Sequence, residues 1–330
     1  MMALIKFWFF NARPRALPQS LLPALLAVCL AKDAPGFSIY LACAAVLGVL
    51  CAHLSANLFD DYFDYRKCRT DYRDTLKHEG FRARIGKCLY LTSGQATLGQ
   101  LLAAALVFMG LAFILGSVIL YFRGGVILGV MIATAILCIS YSGPPLRLSY
   151  RGLGELAIGL IFGPMNMLGT YYATCGEMNR TITLISIPIG LLVMNIVYVH
   201  SMLDFVPDKK LGKQTLAVLL DRTTAMLAVL FLVLFLPYLV IGYGIFYGHL
   251  PRFYGISLFT LPMASALFYM MLTYVRVPDR KFSPKPWMGP MPGWQRFEAM
   301  GIDWFMIRWM LARNLLSLLC LIIMALSLLA

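Results

Sequence analysis

Asn57-Leu58-Phe59-Asp60-Asp61-Tyr62-Phe63-Asp64-Tyr65-Arg66-Lys67 closes a long apolar run, and its reading decides the fold. A second stretch, Asp204-Phe205-Val206-Pro207-Asp208-Lys209-Lys210-Leu211-Gly212-Lys213-Gln214-Thr215, closes another run in the same way. Carboxylates are expensive to keep in or beside a bilayer, so such clusters mark places that bind something. Acids followed at once by Lys and Arg suit Mg²⁺ bridged to phosphate, with the acids on the metal and the cations on the remaining phosphate oxygens. Taken singly, either cluster reads equally as solvated caps at a loop end. A matched pair on one side of a membrane favours binding.

The chain around them is 60% hydrophobic and only 13% charged over 330 residues, with a mean hydropathy of +0.78. A soluble domain carries roughly 25% charged residues. Composition therefore gives an all-α, polytopic membrane protein, read as one domain over 1–330. Crossing the hydrocarbon takes about 20 apolar residues, which predicts nine transmembrane helices at 17–32, 37–59, 96–121, 124–141, 154–174, 181–203, 223–247, 253–275 and 305–329. Pro23, Gly163, Pro164, Pro188, Pro237 and Pro262 fall inside them and predict kinked helices around a central cavity. Residues 1–11 read as an interfacial helix with Lys6 and Trp8, followed by Arg13 and Arg15. That run is too short for a signal peptide, and no cleavable leader is expected.

Lys and Arg set the topology. With the N-terminus cytosolic, the cytosolic segments hold 22 of them and the opposite side only four, Lys32, Arg123, Arg180 and Arg252. This is a decisive positive-inside bias. The net charge of +13 is thus a topology signal, and nucleic acid is not expected as a partner. Both acidic clusters open cytosolic loops. The eight cysteines show no zinc spacing and lie mostly in apolar runs, so neither zinc nor a disulfide framework is expected. His53, His78 and His249 read as structural.

If the helix continues past its apolar run, Asn57, Asp61 and Asp64 share one face, while Asp60 lies about 100° off it and reads as a helper or as solvated. Asp204 and Asp208 share a face only if Pro207 leaves the helix intact. A third element, Tyr141-Ser-Gly-Pro-Pro-Leu-Arg147-Leu-Ser-Tyr-Arg151-Gly-Leu-Gly-Glu155, makes a cytosolic turn. Arg147 is expected to reach phosphate and Tyr141 to line the mouth; Arg151 reads equally as a positive-inside turn residue. The loop 66–95 carries eight cations, including Arg82, Arg84 and Lys87, which would cover a diphosphate or lie on anionic lipid. Asn166, Asn195, Tyr198 and His200 are intramembrane polar residues expected to face the bundle interior, and His200 is the one placed to touch a substrate.

These residues carry a resemblance. The chain resembles the UbiA superfamily of intramembrane prenyltransferases, and within it the MenA-like 1,4-dihydroxy-2-naphthoate polyprenyltransferases. The likeness rests on Ala12-Arg13-Pro14-Arg15-Ala16-Leu17-Pro18, on Asn57 to Asp64, and on Tyr141 to Glu155 continuing through Gly163-Pro164 and Gly169-Thr170-Tyr171-Tyr172. It ends with Asp208 to Val218, where Gly212-Lys213-Gln214-Thr215-Leu216-Ala217-Val218 stands out. The chain departs at Asp60, where the branch usually has Asn, and at His200-Ser201-Met202-Leu203-Asp204, where it typically reads Asn-Asn-x-Arg-Asp.

The resemblance implies Mg²⁺ held by Asp61, Asp64, Asp204 and Asp208, a polyprenyl diphosphate bound by Asn57, Lys67, Arg147, Lys209 and Lys213, and a cell-membrane location. Metal would stabilise the departing diphosphate, and the allylic cation would be attacked in a dry cavity by a hydroxyaromatic acceptor. Asp60, Tyr141 and His200 are the acceptor-pocket candidates. With dihydroxynaphthoate the ring carboxylate would leave as CO₂. The rival readings are the same chemistry on 4-hydroxybenzoate, homogentisate or a glycerophosphate lipid, cyclisation of the prenyl chain itself, and a secondary transporter. A transporter's charged sites are expected near the bilayer midplane.

Overall fold

The computed structural model describes residues 2–67 and 88–329, and among them all regular structure is helical. A short helix α1 (Met2–Asn11) exposes Leu4, Ile5, Phe9 and Phe10 while burying Trp8. Arg13 follows in the left-handed conformation (φ 59°), and α2 (Pro18–Leu30) begins beyond it. Then comes α3 (Ile39–Lys67), which runs unbroken through Asn57, Asp60, Asp61 and Asp64. The continuation on which the shared acidic face depends is therefore present.

After α4 (Leu89–Thr92), Thr97 and Gln100 form a reciprocal capping box that starts α5 (Leu98–Arg123). Then follow α6 (Gly125–Ser140), α7 (Gly154–Leu160), a π-turn over Ile161–Met165, and α8 (Asn166–Cys175). The Asn179 side chain caps α9 (Arg180–Leu203) by accepting from Ile182 N at 2.9 Å. Two short helices, α10 (Phe205–Lys210) and α11 (Leu216–Leu220), lead to α12 (Thr223–Phe246). A 3₁₀ segment, Arg252–Thr260, runs into α13 (Leu261–Arg276), and α14 (Trp294–Ala299) precedes the final α15 (Asp303–Leu329).

Six of these stretches are long and apolar enough to cross a membrane: α3, α5, α9, α12, the combined Arg252–Arg276 segment and α15. Two further apolar helices, α2 and α6, are shorter. Pro207 does not disrupt the second cluster as the sequence suggested. The chain breaks at Asp204 (φ −95°, ψ 16°), and Pro207 falls in the first turn of α10, where a missing N–H leaves nothing unsatisfied. Asp208 N still donates to Asp204 O at 2.9 Å, so the two acids stay one turn apart across the break.

The two largest of four apolar clusters among the described residues form the main cores of the bundle. One joins α2, the α7–α8 segment, α9, α12, α13 and α15; the other joins α1, α3, α4 and α5. The α7–α8 segment reaches α9 through glycine against glycine. A Cβ on Gly163 would lie 2.2 Å from Gly190 Cα, so only glycine permits this approach. At the far end from the acidic clusters, Arg123 donates to Gly36 O and Thr174 O at 2.7 Å and to Ala173 O at 2.9 Å. It thereby caps the C-terminus of α8 and ties three segments together. Asn166 and Tyr198 link segments as expected, donating to Ser20 O and Met226 O at 2.8 and 3.0 Å. Asn195 is fully buried, and neither of its amide atoms has a hydrogen-bond partner among the described residues.

Candidate active site

Where the two cores meet, a cavity of about 1020 Å³ opens. It is lined from α3, the turn after α6 and the loop after α10, and by the apolar side chains Ile158, Ile161, Phe162, Ile196 and Phe305. The size suits a drug-sized or larger ligand. Asn57, Asp60, Asp64, Tyr141, His200, Asp208 and Lys213 all line it. The two acidic clusters, far apart in sequence, thus face one space.

The first cluster is met by groups from distant parts of the chain. Arg13 donates through one nitrogen to Asp61 Oδ1 at 2.8 Å, to Asp60 Oδ2 at 3.0 Å and to the Asn57 carbonyl at 2.7 Å. Asn57 answers by donating its amide to Ala12 O at 2.9 Å, which locks the turn after α1 onto α3. Tyr90 donates to Asp61 Oδ2 at 3.0 Å. Ser142 donates to Asp60 Oδ1, and Tyr150 donates to Asp64 Oδ1 at 2.8 Å. Lys213, from the second cluster's loop, reaches Asp64 Oδ2 at 3.4 Å. Asp64 is thus the point at which three elements converge.

Charge explains the arrangement. Burial opposes the Arg13 charge, but Asp61 and Asp60 outweigh it and raise its pKa above the ordinary value. Lys213 behaves alike: burial works against the ammonium, while Asp64, Asp60, Tyr141 and Asp208 raise it. Burial first, then the Asp61 charge, push the Tyr90 phenol up, so it stays a donor. Asp60 is buried and doubly bonded, which removes the solvated alternative and leaves the helper one.

The other expected residues divide. Asp61 and Asp204 are buried and are not among the residues lining the cavity. Asp204 instead meets His200 Nε2 at 3.1 Å, and His200 packs edge-on against Phe305. Ser201 donates to Glu155 at 2.6 Å, and the same Glu155 oxygen accepts the Leu216 N–H at 3.1 Å. Glu155 therefore fastens the loop that carries Lys213, a role the sequence did not suggest. Arg147 is exposed, away from the cavity lining, and its neighbour Tyr150 makes the contact from that turn. Lys209 points outward to Asp221 at 2.6 Å, with both side chains more than half exposed. The side chain of Lys67, and Arg82, Arg84, Lys87 and His78, lie outside the described residues.

Sequence reading also missed Arg13 as a site residue and treated His53 as structural. Arg13 stood in the Arg13-Pro14 stretch that carried the resemblance, but nothing local linked it to acids 47 and 48 residues away. His53, two turns before Asp60 on α3, lines the cavity.

Among the described residues, no group of three or more His, Cys, Asp or Glu side chains forms a ready metal cluster. The donor chemistry nevertheless fits a hard divalent cation. Asp60, Asp64 and Asp208 present carboxylate oxygens to one cavity, and Arg13 and Lys213 already hold positive charge against the first two.

Residues 20–287 match the UbiA prenyltransferase family. The chain belongs to that family. It is 29% identical over 213 residues to the 1,4-dihydroxy-2-naphthoate octaprenyltransferase of Bacillus subtilis, a match covering 64% of this chain and 65% of that protein, just under two thirds of its length. The fold resembles that in a study of a digeranylgeranylglyceryl phosphate synthase (TM-score 0.66, 13% identity, 99% of this chain and 100% of that one). It also resembles a UbiA homologue from Archaeoglobus fulgidus bound to DMAPP and Mg²⁺ (TM-score 0.55, 15% identity, 96% of this chain and 99% of that one).

Proposed function

We propose that this membrane protein transfers a polyprenyl group from a polyprenyl diphosphate to a hydroxyaromatic acceptor, with 1,4-dihydroxy-2-naphthoate the favoured acceptor. The observation that carries the reading is one cavity lined together by acids (Asp60, Asp64, Asp208), cations (Arg13, Lys213) and apolar side chains (Ile161, Phe162, Ile196, Phe305). In this reading the domain has nine spans, its N-terminus and the acidic end are cytosolic, and it resides in the cell membrane.

Asp64 and Asp208 would hold Mg²⁺ from the cavity wall, helped by Asp60, with Asp61 and Asp204 completing the two acidic sets from behind. Bound Mg²⁺ supplies Lewis-acid stabilisation of the leaving diphosphate. Arg13 and Lys213 bind phosphate oxygens, since both are held cationic beside the cavity; Asn57 adds an amide. The bond from the allylic carbon to oxygen breaks, the diphosphate keeps the electron pair, a ring carbon of the acceptor forms the new bond, and the ring regains aromaticity by losing its carboxylate as CO₂ (dihydroxynaphthoate) or a proton (an unsubstituted ring position). Phe162, Ile161, Ile196 and Phe305 exclude water from that carbon.

His200 and Ser201 stand where the naphthoate branch carries an Asn pair, so the acceptor is the part to test. Detergent-purified protein is given Mg²⁺, mixed polyprenyl diphosphates, and a panel of hydroxyaromatic acids and a glycerophosphate lipid. A demethylmenaquinone-mass product from dihydroxynaphthoate is expected. A product only from 4-hydroxybenzoate, homogentisate or a glycerophosphate lipid replaces the acceptor and leaves the diphosphate site intact. Absence of diphosphate release with any acceptor sinks the prenyltransfer reading.

A further inference from the structure

His53 is an imidazole set in the wall of the cavity, one helical turn deeper than Asn57 and about 10 Å along the helix axis from Asp60. It is 2% exposed, and its ring lies against Phe162 with centroids 4.4 Å apart and planes tilted 32°. Nδ1 sits 2.6 Å from Ser20 Oγ.

The hydroxyl of Ser20 has one hydrogen and two candidates for it, Nδ1 and the Leu17 carbonyl at 3.2 Å. That carbonyl already accepts the Ser20 and Leu21 backbone N–H groups at 3.0 and 2.8 Å. With that carbonyl already engaged, we assign the hydrogen to the shorter contact, Nδ1. Nδ1 is then an acceptor, so the ring proton stands on Nε2. No hydrogen bond from Nε2 to a described residue is present, and Nε2 is the edge left to the cavity.

We propose that His53 is an acceptor-binding residue, donating its Nε2–H to an oxygen of the aromatic acceptor, a phenolate or ring carboxylate, below the diphosphate site. The inference rests on the prenyltransfer reading above and adds to it the residue that holds the ring. A donated hydrogen bond favours the oxyanion form of a ring hydroxyl, which enriches the adjacent ring carbons in electron density. Phe162 keeps the imidazole edge aimed, and Ser20 fixes its tautomer.

The test measures acceptor binding directly, by titrating dihydroxynaphthoate and 4-hydroxybenzoate into the detergent-solubilised protein, beside steady-state turnover. His53→Phe keeps a ring against Phe162 and removes the donor. It is expected to raise the acceptor Kd and KM about tenfold, the loss of one hydrogen bond to a charged oxygen, while the KM for prenyl diphosphate stays within about twofold. His53→Gln, which restores an N–H donor, is expected to recover part of that loss. A parallel rise in both KM values, or a fall in kcat with acceptor Kd unchanged, overturns the proposal in favour of a packing role. Should His53→Phe fail to fold, Ser20→Ala decides. A rise of about threefold in acceptor Kd supports the proposal and an unchanged Kd overturns it. Wild-type protein that binds an acceptor without turnover sinks the prenyltransfer reading alone; wild-type protein that binds neither acid overturns both.

Discussion

Asp60, Asp61 and Asp64 lie on one unbroken helix and are met from outside by Arg13, Tyr90, Ser142, Tyr150 and Lys213, whereas Asp204 and Asp208 straddle a break, and Asp204 is met by His200 four residues before it. The difference is one of assembly. The straight helix presents its acids at fixed spacing, and their partners come from the turn after α1, from α4, from the turn after α6 and from the loop after α10. In the second cluster His200 meets Asp204 at the ordinary i, i+4 helical spacing. The first cluster is complete only when the whole bundle has closed, while the His200–Asp204 pair forms within one turn of α9.

Five substitutions sharpen this comparison. The largest effect is expected at the acids facing the cavity: Asp64→Asn and Asp208→Asn each lower kcat/KM by about 10²–10³-fold, as loss of an electrostatic stabiliser does. Equal losses would mark the clusters as one functional unit, and a tenfold difference would break that equivalence. Arg13→Ala comes next. It takes the shared cation from Asp60 and Asp61 and is expected to lower kcat/KM for prenyl diphosphate by about thirtyfold and to lower the Tm. An Arg13→Ala protein with wild-type KM for prenyl diphosphate would remove Arg13 from the phosphate site.

Tyr150→Phe deletes a single hydrogen bond to Asp64, and a loss of about three- to tenfold is expected from the initial rate. The smallest effect separates neighbouring lysines. Lys209 pairs with Asp221 in solvent, so Lys209→Ala is expected to stay within about twofold of wild type, an exposed pair contributing little. A large loss at Lys209 would show that this lysine turns inward when substrate binds.

The two clusters also show what a sequence discloses. Asp64 and Asp208 were legible because a carboxylate at the end of an apolar run contradicts its surroundings, and the helices were legible because hydrophobicity is summed over many residues. Partners were not. Lys209 and Lys213 look alike in the chain, and only the turn at Gly212 (φ +65°) and the Glu155 anchor send one outward and the other to Asp64. Arg147 and Tyr150 share a turn, yet the contact belongs to the tyrosine, since Arg147 takes a left-handed backbone conformation (φ 48°) and stays exposed. His53 resembled any buried histidine until its neighbours Ser20 and Phe162 arrived from two other segments. Tertiary meetings over long separations leave no periodicity to read.

Arg123 lies at the other end of α3 from the carboxylates, roughly 35 Å away along the helix axis, and its three carbonyl contacts join the Gly36 turn to the end of α8. Those contacts are to neutral oxygens, so adding or withdrawing ions changes them little. The acidic end is the reverse: its helices are held together by charges whose balance alters whenever a cation or an anion enters. One end of the bundle is therefore tied by contacts indifferent to salt, and the other carries ties that respond to it.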